Sequence, residues 1–304
     1  MNFQSTVTQK PSHTFHQPLR VLHFTDSHLL LHEDDRLKGT ATWQTFRAVI
    51  EHAMGEGARP DFILATGDLV HDGPAIIYQR LQEYIAQFQV PIHVLPGNHD
   101  DPAVLAHVFL SSTNSNAMDN PSDGAYHSPQ NLDPTGHTSI TNTIDGEPYV
   151  SFGHARYGNW QIILLNTAVP QKQYGMLSDK ELFRVESLLD NSPQFHNLLC
   201  LHHHPVPFGR AGLDSIGLRN ADAFFAIVDR HHNVGGIVWG HIHSPFKIKR
   251  RGIGLFGTPS TCFQFDATSE RISAIGGPPG YRWLTLESNG QIRSDVVWVT
   301  ERKR

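Results

Sequence analysis

One six-residue stretch, Leu95-Pro96-Gly97-Asn98-His99-Asp100, constrains this chain more than any other. An apolar run from Pro91 to Leu95, interrupted only by His93, reads as a strand leading into it. Pro96 and Gly97 turn the chain, and Asp101-Pro102 open a helix that reaches about Leu110. An amide, an imidazole and a carboxylate therefore stand in a row at the end of a strand. A packed core has no use for three such side chains. A site for metal and phosphate does.

Four other strands end in the same manner. The run from Arg20 to Thr25 stops at Asp26-Ser27-His28, and that from Asp61 to Thr66 stops at Gly67-Asp68. Leu198 to Leu201 stops at His202-His203-His204-Pro205, and Gly236 to Trp239 stops at Gly240-His241-Ile242-His243. Helical spacing fills the intervals. Trp43, Phe46, Val49, Ile50 and Ala53 share a face from Thr42 until Gly55 and Gly57 end it. Ile77, Leu81, Tyr84, Ile85 and Phe88 share another, between Pro74 and Pro91. Ser178 and Glu181 make a capping box ahead of Leu182, Val185, Leu188 and Leu189. Asn220 can cap a helix with Phe224, Phe225, Ile227 and Val228. A strand from Trp160 to Leu165 and later ones around 254–256, 281–286 and 294–299 complete the pattern. Alternating strands and helices imply right-handed crossovers and a mostly parallel sheet, with the ligand site beyond the carboxyl ends of the strands.

Composition limits the alternatives. The chain has 304 residues, 39% hydrophobic and 17% charged, as in a soluble globular protein. A formal net charge of −5 gives no bulk attraction to DNA or an anionic membrane. The first twenty residues lack the apolar core of a secretory signal, and no apolar run approaches the ~20 residues of a membrane span. Cys200 and Cys262 could form one disulfide but read better as buried free thiols in a reducing compartment, and without a signal or span the expected location is cytoplasmic. Residues 1–18 read as a flexible arm and 19–304 as one domain, with a loop-rich excursion at 111–150. The 21 histidines are unusual, and many sit at strand ends.

Asp26, His28, Asp68, Asn98, His202, His241 and His243 are two carboxylates, an amide and four imidazoles. Oxygen and imidazole donors suit iron, manganese, zinc or nickel, and no thiolate is required. D-x-H and H-x-H spacings place both side chains on one side of an extended segment. Seven donors exceed one tetrahedral ion and suit two ions sharing a carboxylate. Such a pair, about 3.5–4 Å apart, clamps the attacking and leaving oxygens and lowers the pKa of a bound water to about 7. Without ions the carboxylates would repel a phosphate. General acid–base help alone, about 10²–10⁴-fold, also falls far short of the acceleration approaching 10²¹ that phosphate-ester hydrolysis can demand.

The motif series D-x-H, GD, GNHD, HH and GHxH, spread over residues 26–243, resembles the calcineurin-like metallophosphoesterase superfamily. Thr25 to His28, Ala65 to Leu69, His202 to Pro205, Leu218 to Ala221, Gly240 to His243, Thr258 to Cys262 with Gln264-Phe265, and Pro279 to Arg282 look like the bacterial class III 3′,5′-cyclic-AMP phosphodiesterases. The resemblance covers about 20–110 and 160–290. It implies an αββα sandwich of two mixed β-sheets flanked by helices, and a pair of iron, manganese or zinc ions. By that resemblance Asp26, His28 and His243 hold one ion, Asn98, His202 and His241 the other, and Asp68 bridges. It further implies that a metal-bound hydroxide opens cyclic AMP to 5′-AMP and that His99 touches the phosphate or protonates the leaving oxygen. Asp68, Asn98 and His99 would then be catalytic, with His28, Asp68, Asn98, His99 and His243 touching substrate. The implied partner is a small cyclic nucleotide, without stable nucleic-acid or membrane binding, acted on by a monomer or homodimer. The alternative is a broader metallophosphoesterase of 2′,3′-cyclic nucleotides or other phosphodiesters and phosphomonoesters. A non-catalytic module on the same fold would be expected to lose donors, and none is lost.

The neighbouring residues have blander readings. Asp100 reads as a helix cap or a partner for a ligand histidine, and His71-Asp72 as structural groups near the rim. His203 and His204 stand open between contact with the site and plain packing. Arg219 is open between a helix start and a substrate-side role. Lys247, Lys249, Arg250 and Arg251 read as a solvated turn.

Overall fold

The apolar runs become strands, and both faces of those strands are covered. The computed structural model describes residues 17–55, 57, 59–111, 143–144, 147–148, 150–151 and 153–300. In chain order the main strands begin with β1 (Leu19–Phe24), β2 (Phe62–Thr66), β3 (Ile92–Leu95), β4 (Val150–Ser151), β5 (His154–Tyr157) and β6 (Trp160–Leu164). They continue with β7 (His196–Cys200), β8 (Val234–Trp239), β9 (Phe246–Arg250), β10 (Ile253–Gly257), β11 (Gly280–Leu286) and β12 (Ile292–Trp298). The helices are α1 (Thr42–Gly55), α2 (Ala75–Ala86), α3 (Pro102–Ser111), α4 (Asp179–Asp190), α5 (Ala211–Asp214) and α6 (Ala221–Val228).

Two six-stranded sheets result, in the orders β12-β11-β1-β2-β3-β4 and β9-β10-β8-β7-β6-β5. In each, parallel strands fill the centre, and antiparallel pairing carries β11 and β12 at one edge and β5 and β9 at the edges of the other. Side-chain alternation divides every central strand between two cores. Val21, Phe62, Leu64, Leu198, Cys200 and Val238 meet between the sheets. Leu22, Phe24, Ile63 and Ala65 point the other way, onto Trp43 and Phe46 of α1 and Ile77 and Leu81 of α2. Leu199 and Leu201 do the same toward Val185 of α4 and Phe224 of α6. The chain is thus an αββα sandwich. Continuous apolar strands are what burial on both faces requires.

Two of the expected helix starts are capped by side chains, and a third is not. Ser178 accepts from the Glu181 amide at 3.2 Å, and Asp101 accepts from the amides of Ala103 and Val104 at 2.9 and 3.1 Å. Asn220 precedes α6 but caps nothing with its side chain. Its amide instead clamps Leu177, accepting from the Leu177 N–H at 3.0 Å and donating to the Leu177 carbonyl at 2.8 Å. The basic cluster also differs from expectation. Lys247 to Arg250 lie in edge strand β9, and Arg250 and Arg251 pair with Asp229. The arm expected over 1–18 lies outside the described residues apart from 17 and 18, and so does most of the excursion expected over 111–150.

Candidate metal centre

The carboxyl ends of β1, β2 and β3 in one sheet and of β7 and β8 in the other open onto the same place. The loops there are stitched together by the backbone. The Asp26 N–H donates to Gly67 O at 3.0 Å, His28 N–H to Asp68 O at 2.9 Å, and Gly240 N–H to His202 O at 3.2 Å. Asp26, His28, Asp68, His241 and His243 all take positive φ, between 43° and 67°. This region costs L-residues energy and persists where the surroundings over-determine it. It aims five side chains at one point rather than along their strands. Glycines make the approach possible. A Cβ on Gly97 would lie 2.1 Å from Asp68 Oδ1, and one on Gly240 would lie 2.0 Å from Thr25 Oγ1.

Six of the seven expected donors fall into tight groups there, nearly all fully buried. The ligand atoms of Asp26, His28 and His243 lie within 4.8 Å of one another, as do those of Asp26, Asp68 and His202. Asp68 stands between the sets, its Oδ2 3.7 Å from His28 Nε2 and 3.4 Å from His202 Nε2. His241 Nδ1 approaches His202 Nε2 at 3.1 Å. The seventh donor, Asn98 Oδ1, is buried with no hydrogen-bond partner. An orphaned buried acceptor costs about 1–3 kcal/mol. A cation satisfies it, and the all-oxygen-and-imidazole donor set suits a first-row ion pair. The residues present therefore fit two metal ions.

The profile of calcineurin-like phosphoesterases matches residues 19–245. The chain belongs to that family. It is 34% identical over 278 residues to the 3′,5′-cyclic adenosine monophosphate phosphodiesterase CpdA of Vibrio vulnificus, covering 91% of this chain and 89% of that protein. The CpdA of Escherichia coli K12 is 32% identical over 279 residues, with 91% and 89% covered. A 3′,5′-cyclic-nucleotide phosphodiesterase of Nostoc is 33% identical over 289 residues, with 94% and 92% covered. A dimetal phosphatase from Danio rerio shares the fold, with a TM-score of 0.58 at 13% identity over 93% of this chain and all of that one.

Electrostatics in this phosphoesterase center on Asp68 and His202. Burial alone would raise the Asp68 carboxyl, but His202, by charge and hydrogen bond, and then His28 hold it well below the usual carboxylate range. Burial works against a charged His202, yet Asp68 outweighs it and lifts the imidazole to about 9. Without a metal the two form a buried ion pair. Burial, with the imidazoles around them, keeps His28 and His241 neutral, the form a metal ligand needs.

Above the donors lies a cavity of about 370 Å³, lined among others by Lys38, His71, His99, Gln173, Phe263 and Phe265. His99 sits at its rim, its N–H donating to Asp68 Oδ1 at 2.9 Å and its Nδ1 3.0 Å from Asp72 Oδ2. Phe265 stacks on His243 with ring centroids 4.3 Å apart. Lys38, Gln173 and Phe263 carry no strand-end signal in the sequence pattern, and Phe265 stands there only as part of the family resemblance, without a role at the site. Lys38 at φ 51°, before Gly39 at φ 85°, is a tight-turn signal that could have found one of them. His71 and Asp72 are at the rim as expected, though both touch site histidines. His203 gives its Nδ1 to Thr167 Oγ1 at 2.7 Å, and its ring packs 4.4 Å from that of His241. Arg219 lies outside the cavity lining, over the Tyr174 ring and bonded to the Ser215 carbonyl. Asp100 is neither helix cap nor histidine partner. Its carboxylate accepts from the amides of Leu69, Val70 and Gly97 and from the Tyr78 hydroxyl. No helix among the described residues is long and apolar enough to cross a membrane.

Proposed function

We propose that this phosphoesterase opens 3′,5′-cyclic AMP to 5′-AMP, using two ions drawn from iron, manganese and zinc. The observation that supports the reading is the gathering of six of the seven donors into groups within 4.8 Å, with the buried Asn98 Oδ1 left without a hydrogen-bond partner. The activity of relatives aligned over nine-tenths of the chain supports the choice of substrate. Asp26, His28 and His243 would hold one ion, Asn98, His202 and His241 the other, with Asp68 shared. When bound, such a pair supplies charge to neutralise a phosphate and an activated water to attack it.

The chain's own side chains do the remainder. His28, Asp68, Asn98, His99 and His243 line the cavity where the phosphate would rest. Asp72 holds His99 through Nδ1–H and would stabilise its imidazolium form, whose Nε2–H would give its proton to the departing ribose oxygen. Lys38 at the rim draws the anion in, and Phe263, Phe265 and Ile272 offer an apolar wall to the nucleoside. The buried free thiols Cys200 and Cys262 suit a reducing cytoplasm, where the substrate would be a small molecule taken by a monomer or homodimer.

The test is hydrolysis of cyclic AMP, cyclic GMP, 2′,3′-cyclic AMP and p-nitrophenyl esters by wild type and Asn98→Ala, with manganese and with chelator. The expected result is manganese-dependent release of 5′-AMP that chelator abolishes and Asn98→Ala lowers at least about 100-fold. Turnover of the other esters without cyclic AMP would replace this reading with the broader phosphoesterase.

A further inference from the structure

Each of the four imidazoles proposed as ligands has a second ring nitrogen. The partner of that nitrogen decides which one keeps a lone pair for an ion. In three of the four the partner is a backbone carbonyl. His202 Nδ1 donates to Thr66 O at 2.8 Å, His241 Nε2 to Ile216 O at 3.1 Å, and His243 Nδ1 to Phe263 O at 2.7 Å. A carbonyl only accepts, so these three tautomers are set by the main chain.

His28 is different. Its Nδ1 faces Nδ1 of His71 at 3.1 Å. Two facing ring nitrogens hold one proton between them, so one donates and the other accepts. His28 Nε2 points into the donor set, 3.1 Å from His243 Nε2 and 3.7 Å from Asp68 Oδ2. That is the nitrogen that must keep its lone pair. A neutral His28 therefore carries its proton on Nδ1, and His71 Nδ1 accepts it. We propose that His71 is a positioning residue, which fixes the tautomer and ring plane of His28 where the other three imidazoles rely on the backbone.

The surroundings fit this role. His71 lies three residues beyond Asp68 on the same loop, and its N–H is anchored to Leu29 O at 3.1 Å. Its ring stacks on His99, with centroids 4.4 Å apart and planes at 29°, and meets His28 edge-on at 5.2 Å. A third ion among His28, His71 and His99 is the competing use, since their nitrogens lie within 4.8 Å of one another. Proton counting opposes it. An ion there would need His28 to surrender its Nδ1 proton while Nε2 is already engaged.

The inference rests on the two-ion reading, so its test uses no substrate. Metal-free wild type, His71→Ala and His71→Gln are titrated with Mn²⁺ by calorimetry, and their thermal unfolding is compared. Wild type should take up two ions. His71→Ala should keep one at wild-type affinity and bind the other about 10–100-fold more weakly, the usual effect of losing such a partner. His71→Gln, whose amide oxygen accepts in the same place, should recover most of the loss, and the metal-free unfolding temperatures should agree. Two ions at wild-type affinity in His71→Ala, or a Gln variant as weak as Ala, would overturn the assignment while leaving the two-ion site intact. Fewer than two ions in wild type would overturn the site itself, and this inference with it.

Discussion

Asp100 shows how a residue can sit in a motif and serve it from outside. Its carboxylate takes the amides of Leu69 and Val70 from one loop and of Gly97 from the next, with the Tyr78 hydroxyl at 2.9 Å. It therefore sets the register between Asp68 and Asn98. Burial and the charge of Asp68 raise its carboxyl to about 6 against the pull of those amides, so the clamp is under electrostatic load. Asp100→Asn keeps the shape but turns a donor toward the amide donors. We expect a loss of about 3 kcal/mol in urea unfolding of the metal-free protein, from broken charged bonds and buried donors left facing each other. A change under about 1 kcal/mol would show that the clamp does not hold the loops. The ligand types were legible because few other reasons put imidazole and carboxylate at strand ends. The role of Asp100 was not, since the Leu69 and Val70 amides it takes lie about thirty residues upstream. Lys38 and Phe263 were hidden for the same reason: only the fold brings them to the cavity.

Elements were legible where burial imposes a period and obscure where it does not. β2 is apolar on both faces and α1 has a full apolar stripe, and both appear within a residue of their expected bounds, whereas β7 begins two residues early at the polar His196-Asn197. β9 is obscure in the sequence because an edge strand needs only one neighbour, and its lysines blunt the open edge. The turns after the strands are where the fold concentrates its strain. Gly67 has φ 85°, and a Cβ there would stand 2.6 Å from both Gly97 N and His202 Nδ1. The left-handed conformation alone costs a residue with a side chain about 1–2 kcal/mol, and a clash with backbone cannot be relieved by changing rotamer. Gly67→Ala should therefore lower the unfolding midpoint by several degrees and bind less than two equivalents of Mn²⁺, read by scanning calorimetry and metal analysis. An alanine variant with wild-type stability and two ions would mean that the turn has room the geometry denies it.

At the scale of the molecule, the site exists only because two sheets present their carboxyl ends together. Asp26, Asp68 and Asn98 come from one, and His202, His241 and His243 from the other. Polar groups between the sheets help to hold that alignment. His23 of β1 lies between Thr66 Oγ1 at 2.7 Å and Thr258 Oγ1 at 2.8 Å, and the buried Arg282 of β11 reaches Thr258 and the carbonyls of Phe246 and Gly257. Such bonds join distant parts of the chain, so composition could only count the histidines. Burial pushes His23, helped by Arg282, down to about 3, and burial alone does the same to His93 of β3, which meets the Tyr157 hydroxyl at 2.7 Å. Both imidazoles have an ordinary value of 6.5. Between about 3 and 6.5 the unfolded chain binds these protons and the folded one does not. Their contribution is therefore complete above 6.5 and is lost as the pH falls, at up to about 1.4 kcal/mol per pH unit for each imidazole. His93→Gln removes one of them and can keep a bond to Tyr157. In metal-free protein unfolded by urea between pH 4.5 and 6, the variant should lose stability less steeply than wild type, by about 1.4 kcal/mol per pH unit. Parallel slopes would mean that His93 takes up its proton without unfolding, and that the space between the sheets is open enough to solvate it.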